Sequence, residues 1–240
     1  MTRIILASVD ASASLEYALP FDGIDYLNFF TSSGVMLRNL AGAQSTAIGA
    51  PTIAGGVLEA KSRTNFIRTS AAQSALGGTL IAAARCVDNA STNALAPRII
   101  SSYSSGTLPL GGAGLLPRNA VSMSGLLTLN DGGAYATHWT DRSATFTNWG
   151  LWAFRWEASG VARVENLTLG ISSETTPANP IAVSANLYCI GSDNLTGGSN
   201  FLGESQIASV CIVSRKITDL ELTEIAGRMR SAAAKSGITV

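Results

Sequence analysis

Between Asn130 and Asn148 the chain sets a phenol, an imidazole and an indole close together, at Tyr135, His138 and Trp139, among Asp, Thr, Asn and Arg side chains. Flat aromatic faces stack on sugar rings, and neighbouring carboxylates and amides bind hydroxyl groups. Tyr135, His138, Trp139, Asp141 and Asn148 therefore form a candidate carbohydrate-binding set, in a turn-rich segment between two strands. The competing reading is structural, with Trp139 as a plug at one end of the domain. Catalytic chemistry is poorly supplied. His138 is the only histidine, so a Ser-His-Asp site would depend on it with Asp131 or Asp141, yet no Gly-x-Ser-x-Gly turn is present to raise a nucleophile. Glu157, Glu165, Glu174 and Glu204 stand singly rather than as the acid pair that glycoside hydrolysis uses. No catalytic residue is assigned. Asp193 and Asn194, with Glu204 further along, could offer oxygen ligands to calcium, whereas a solvated turn explains them without an ion. Calcium is the one cofactor for which the sequence offers such ligands.

The elements that must position these groups show in the hydrophobic pattern. Short apolar runs at 79–84, 98–102, 126–129, 151–156, 162–169 and 207–213 are separated by clusters of Gly, Asn, Asp, Ser and Pro, the rhythm of an all-β sandwich. From Ile207 to Val213 apolar residues fall on both faces, as in a central strand covered on each side. Trp152, Phe154 and Trp156 alternate along one strand and read as core rather than as an aromatic platform; Trp149 precedes them. Asn130-Asp-Gly-Gly133 and Gly111-Gly-Ala-Gly114 supply the positive φ angles of turns and match no phosphate-binding spacing.

One segment breaks the rhythm. Thr218 followed three residues later by Glu221 is a capping box, with Ile217 and Leu222 placed as a hydrophobic staple, so a helix is predicted to begin at Asp219. Leu222, Ile225, Ala226, Met229 and Ala233 continue as one apolar stripe, and Gly237 suits the C-terminal cap of a helix ending near Lys235. Residues 1–34 are read as an N-terminal arm or first strands, and 35–240 as the main domain.

Sixteen basic and sixteen acidic residues cancel, and only 13% of the chain is charged, so no electrostatic footprint for nucleic acid exists. No stretch approaches the ~20 apolar residues of a membrane-spanning helix. Cys86, Cys189 and Cys211 form no CxxC pair and read as buried thiols. The run Ile4 to Leu6 is too short for a signal-peptide core, and Asp10 follows.

The stretch Phe201-Leu-Gly203 followed by Ile207-Ala-Ser-Val-Cys-Ile-Val-Ser-Arg-Lys-Ile-Thr-Asp-Leu-Glu-Leu222 resembles the last strand and helix of concanavalin A-like and laminin-G-like domains. Leu37-Arg-Asn-Leu-Ala-Gly42, Ile48-Gly-Ala-Pro51, Val57-Leu58 and Asn65-Phe-Ile-Arg-Thr69 are similar to that family's opening. Leu151 to Trp156 before the Gly160 turn resembles its central hairpin, and Leu187-Tyr-Cys-Ile-Gly191 its apolar strand ending in Gly. The matches run in family order over about residues 35–225. Departures are the wide spacing of Gly203 from Ile207 and Ser209 in a position often acidic. The resemblance implies an all-β, two-sheet antiparallel jelly-roll sandwich with one C-terminal helix. Glucanases of that superfamily carry Glu-x-Asp-x-x-Glu; its absence here leaves binding rather than hydrolysis as the implied activity.

The expected function is that of a lectin-like module on a phage tail or virion surface, or outside a cell, engaged in host recognition. Its expected partners are a glycan or cell-surface polysaccharide, other particle proteins and copies of the same chain. The alternatives are a structural or decoration protein without glycan binding and, third, a polysaccharide-degrading enzyme.

Overall fold

The computed structural model describes residues 20–88, 92–104, 111–195 and 200–240. Fifteen strands occur in order: β1 (Ile24–Phe29), β2 (Thr46–Ile48), β3 (Thr52–Ala54), β4 (Val57–Lys61), β5 (Phe66–Ala72), β6 (Gly77–Cys86), β7 (Ile100–Ser101), β8 (Ala113–Asn119), β9 (Ser122–Asp131), β10 (Ala134–Ser143), β11 (Gly150–Glu157), β12 (Ala162–Asn166), β13 (Ile171–Thr175), β14 (Leu187–Ile190) and β15 (Glu204–Val213). A helix, α1 (Asp219–Lys235), follows. Two antiparallel sheets result. Sheet A runs β13-β12-β11-β6-β15-β4-β3, with β1 pairing the second half of β15; sheet B runs β10-β9-β8-β7-β14-β5-β2. The described residues form the expected sandwich and one late α-helix.

The residues between the sheets explain the apolar runs. Sheet A contributes Leu80, Trp152, Phe154, Trp156, Val210 and Ile212 to this core, and sheet B contributes Ile67, Leu115, Leu127, Tyr188 and Ile190. Gly125 is required by close approach: a Cβ there would lie 2.0 Å from the ring of Phe154. The outer face of sheet A carries a second apolar cluster, in which Ile81, Ala83, Leu151, Ala153 and Cys211 meet Leu222, Ile225, Ala226, Met229 and Ala233 of α1. Helix and core thus cover β15 on its two faces, which is why Ile207–Val213 lacks alternation.

The helix begins and ends where its sequence indicates. Thr218 Oγ1 accepts the Glu221 N–H, and Glu221 Oε2 accepts the Thr218 N–H at 2.9 Å. Arg215 hydrogen-bonds the Glu221 carboxylate, which together with the cap pulls its pKa down to about 2. Thr218→Ala is expected to cost roughly 1 kcal/mol in urea unfolding; an unchanged midpoint would mean that the cap contributes nothing.

Tyr26, Leu27 and Phe30 are buried, and β1 is an integral strand of sheet A; residues 1–19 of the segment expected as an N-terminal arm or first strands lie outside the described residues.

Candidate functional site

β10 forms one edge of sheet B. Gly132 and Gly133, with φ of 59° and 97°, make a two-residue hairpin loop, and Asn130 Oδ1 accepts the Gly133 N–H at 3.0 Å. Positive φ at both positions is what this tight hairpin demands. Pairing then runs without a slip from Ala134–Asp131 to Ser143–Ser122. The segment read from sequence as a turn-rich loop is therefore corrected: most of it is a ten-residue strand. Its polar side chains mark a rim strand open to water, not a loop.

Strand alternation sorts the five candidate residues. Tyr135, Trp139 and Asp141 share the outer face of sheet B, with Tyr135 and Trp139 roughly 13 Å apart at the usual strand rise. Tyr135 is 46% exposed, Trp139 half-buried and Asp141 exposed. His138 turns the other way, toward sheet A, where its Nε2 lies 2.9 Å from Thr175 Oγ1. Burial holds the His138 imidazole below its ordinary pKa, and Asp141 offsets part of that shift. Asn148 is exposed in the connection between β10 and β11, off the strand. The structure thus brings three of the five together and separates His138 and Asn148 from them.

Two residues that sequence reasoning missed complete this face. Arg118 Nη1 contacts Asp141 Oδ2 at 2.6 Å, and its guanidinium carbon lies 5.1 Å from the Trp139 ring centroid. Ser124 donates to Asp141 Oδ1 at 2.6 Å. The signal for Ser124 lay in the hairpin: counting back from Gly132-Gly133 places Ser124 directly across from Asp141. The Asp141 carboxylate thus draws the Arg118 guanidinium to the Trp139 indole, and the three groups lie together on this face as a ledge.

The calcium reading is corrected by the surroundings of Asp193. Its carboxylate is fully buried and held by Arg98 Nε at 3.1 Å, Arg63 Nε at 3.8 Å and the Leu195 N–H at 3.1 Å. A divalent cation there would face two guanidinium charges. Burial lowers the Arg98 pKa and Asp193 opposes that shift; the Arg98 guanidinium also lies 3.7 Å from the Phe201 ring centroid. Asn194 Nδ2 donates to the Leu187 carbonyl at 2.8 Å, and Glu204 pairs with Lys61 at 3.0 Å. Among the described residues no group of three or more His, Cys, Asp or Glu side chains is placed to hold a metal. All three cysteines are buried and unpaired, and burial pushes the Cys189 thiol up to about 11.

The fold and this ledge define a two-sheet β-sandwich with a water-facing aromatic strand on one rim, an arrangement suited to binding. No protein-family model and no curated protein matches the sequence. Solved structures do match it in fold. The receptor-binding domain of botulinum neurotoxin C/D mosaic serotype shares 11% identity over 87% of this chain and 52% of that one, with a TM-score of 0.59. The binding domain of Paraclostridial Mosquitocidal Protein 1 shares 11% over 88% of this chain and 52% of that one, at 0.61. The binding domain of botulinum neurotoxin DC in complex with SialylT shares 10% over 87% and 52%, at 0.59. The chain spans about half the length of these structures.

Proposed function

We propose that this chain is a carbohydrate-binding module of the concanavalin A-like and laminin-G-like kind, displayed on a particle or cell surface, and that the outer face of β10 receives the sugar. The observation that carries the reading is the placement of Tyr135, Trp139 and Asp141 on one solvent-facing side of a rim strand, with Arg118 and Ser124 fixing Asp141. Rings carried on a paired strand rather than on a loop lose little backbone entropy on stacking against a sugar. One structural neighbour is a receptor-binding domain and another a binding domain in complex with SialylT, which supports the reading.

Catalysis has little support in the arrangement of acids. Glu157 pairs with Lys216, Glu165 with Arg155 and Glu204 with Lys61, so these carboxylates are engaged in ion pairs. A surface held mostly by uncharged polar groups suits a particle appendage such as a phage tail. The decoration-protein reading draws on Leu76, Val121, Leu169 and Leu220, each more than half exposed and each on a different turn or on α1. A glycan array of neutral and acidic oligosaccharides, probed with the purified chain, separates the two. Dose-dependent binding to a related group of glycans is expected; a blank array would favour the decoration protein.

A further inference from the structure

Beyond α1 the outer face of sheet A carries a row of polar residues, in a chain that uses ions sparingly. Thr52, Glu59, Gln206 and Arg85 occupy directly paired positions across β3, β4, β15 and β6, and Trp149 follows next to Arg85. Thr52 Oγ1 donates to Glu59 Oε2 at 3.2 Å, and Gln206 Nε2 donates to Glu59 Oε1 at 3.3 Å. Arg85 Nε donates to Gln206 Oε1 at 2.8 Å, and its guanidinium carbon lies 5.4 Å from the Trp149 ring centroid. One step along the strands, Lys61 and Glu204 pair at 3.0 Å. Glu59, Lys61, Glu204 and Gln206 line a cavity of about 360 Å³, together with Asn65 and Val87.

That volume lies within the range of small-molecule sites. The side chains stand on strands, and Thr52, Glu59, Gln206 and Arg85 are each hydrogen-bonded to the next, which narrows the arrangements they can take. In the lining Glu59 and Glu204 face one cation, Lys61; Arg85, outside the lining and hydrogen-bonded to Gln206, supplies the second positive charge, so the charges of this patch sum to zero. What fits is a neutral ligand that presents donors and acceptors side by side. In a vicinal diol one hydroxyl donates to a carboxylate while its neighbour accepts from Lys61 or from Gln206 Nε2. Val87, 52% exposed at the wall, offers an apolar contact for a sugar's C–H face.

We propose that this cavity is a second binding site, for a neutral, hydroxyl-rich ligand of monosaccharide size, with Glu59, Lys61, Glu204 and Gln206 as its hydrogen-bonding set. It lies on the face of the sandwich opposite the β10 ledge, and it does not rest on that reading.

The test titrates neutral methyl glycosides (glucoside, galactoside and mannoside) into the 15N-labelled chain and follows its amide signals. At least one glycoside is expected to shift the Gln206 side-chain amide and the Glu59 and Lys61 backbone amides saturably. Gln206→Ala and Glu59→Gln should each weaken that affinity about tenfold or more, and Trp139→Ala should leave it unchanged. Glu59→Gln keeps the side-chain shape, so the test stands even where Gln206→Ala lowers stability. Absence of shifts at this cavity with every glycoside, or shifts whose affinity neither cavity variant alters, would overturn the proposal. Binding lost only in Trp139→Ala would also overturn it while supporting the β10 site.

Discussion

Trp156→Ala is expected to lower the unfolding free energy by about 3–5 kcal/mol, among the largest losses any single substitution in this chain produces. Trp156 is fully buried on the inner face of β11, with its ring stacked on Phe154 at a centroid distance of 5.0 Å. Gly78 lies so close that a Cβ there would stand 2.3 Å from the indole. The two sheets close over this ring, so truncation leaves a cavity that the rigid strands cannot fill. For a chain of this length the loss corresponds to a fall in melting temperature of about 6–20 °C. Trp156→Phe should cost much less, because the indole N–H is buried without a hydrogen-bond partner and its removal frees a polar group. A Trp156→Ala protein that melts within a degree or two of the parent would contradict the packing described.

The second large effect is expected at Arg155. It projects from β11 on the helix side of sheet A, where its guanidinium contacts Glu165 at 2.7 Å, the Ile217 carbonyl at 3.0 Å and Asp219 at 2.7 Å. It therefore ties the sheet to the first turn of α1. Arg155→Met keeps the aliphatic volume but leaves the buried Glu165 carboxylate with only the partly exposed Arg163, 3.2 Å away, for compensation. Removing one partner of a buried pair typically costs about 3–5 kcal/mol, and the remaining arginine places this case near the lower end. The double variant Arg155→Met/Glu165→Leu should be more stable than the single one, since the stranded charge is gone. Urea unfolding of the three proteins measures both terms. A single variant within about 0.5 kcal/mol of the parent, the scatter of ordinary surface substitutions, would show that the pair carries no such energy.

How much of this was legible in the sequence depended on how local each signal was. The helix was fully legible, because Thr218, Glu221 and the stripe from Leu222 to Ala233 lie within one short segment and each obeys helical spacing. The alternation of Trp152, Phe154 and Trp156 was equally local, and all three are core residues. β10 was misread because an exposed rim strand has no apolar alternation to reveal it. Only the Gly132-Gly133 loop and the Tyr, Thr and Trp content of the segment pointed to a hairpin. His138 left the candidate site for the same reason: neighbours in sequence on a strand face opposite ways. The engagement of Asp193 with Arg98 joins residues 95 positions apart, and Gln206 meets Arg85 across 121, so no local pattern announces either. Short strands such as β2 and β3 are set by pairing with longer neighbours and leave little trace in their own residues.

A sugar-binding role for the outer face of β10 turns on Trp139. The direct measurement is Trp139→Ala, assayed for affinity toward the best array glycan and for melting temperature in the same preparation. A stacking role predicts at least about 1 kcal/mol lost from binding. It also predicts a loss of stability well below the ~3–5 kcal/mol of a buried tryptophan, since Trp139 is half-buried and gives up the surface Arg118 guanidinium and its cross-strand neighbour Leu126. The opposite result, a protein destabilised by several kcal/mol whose folded fraction binds glycan as tightly as the parent, would make Trp139 a structural plug and contradict sugar binding on the outer face of β10.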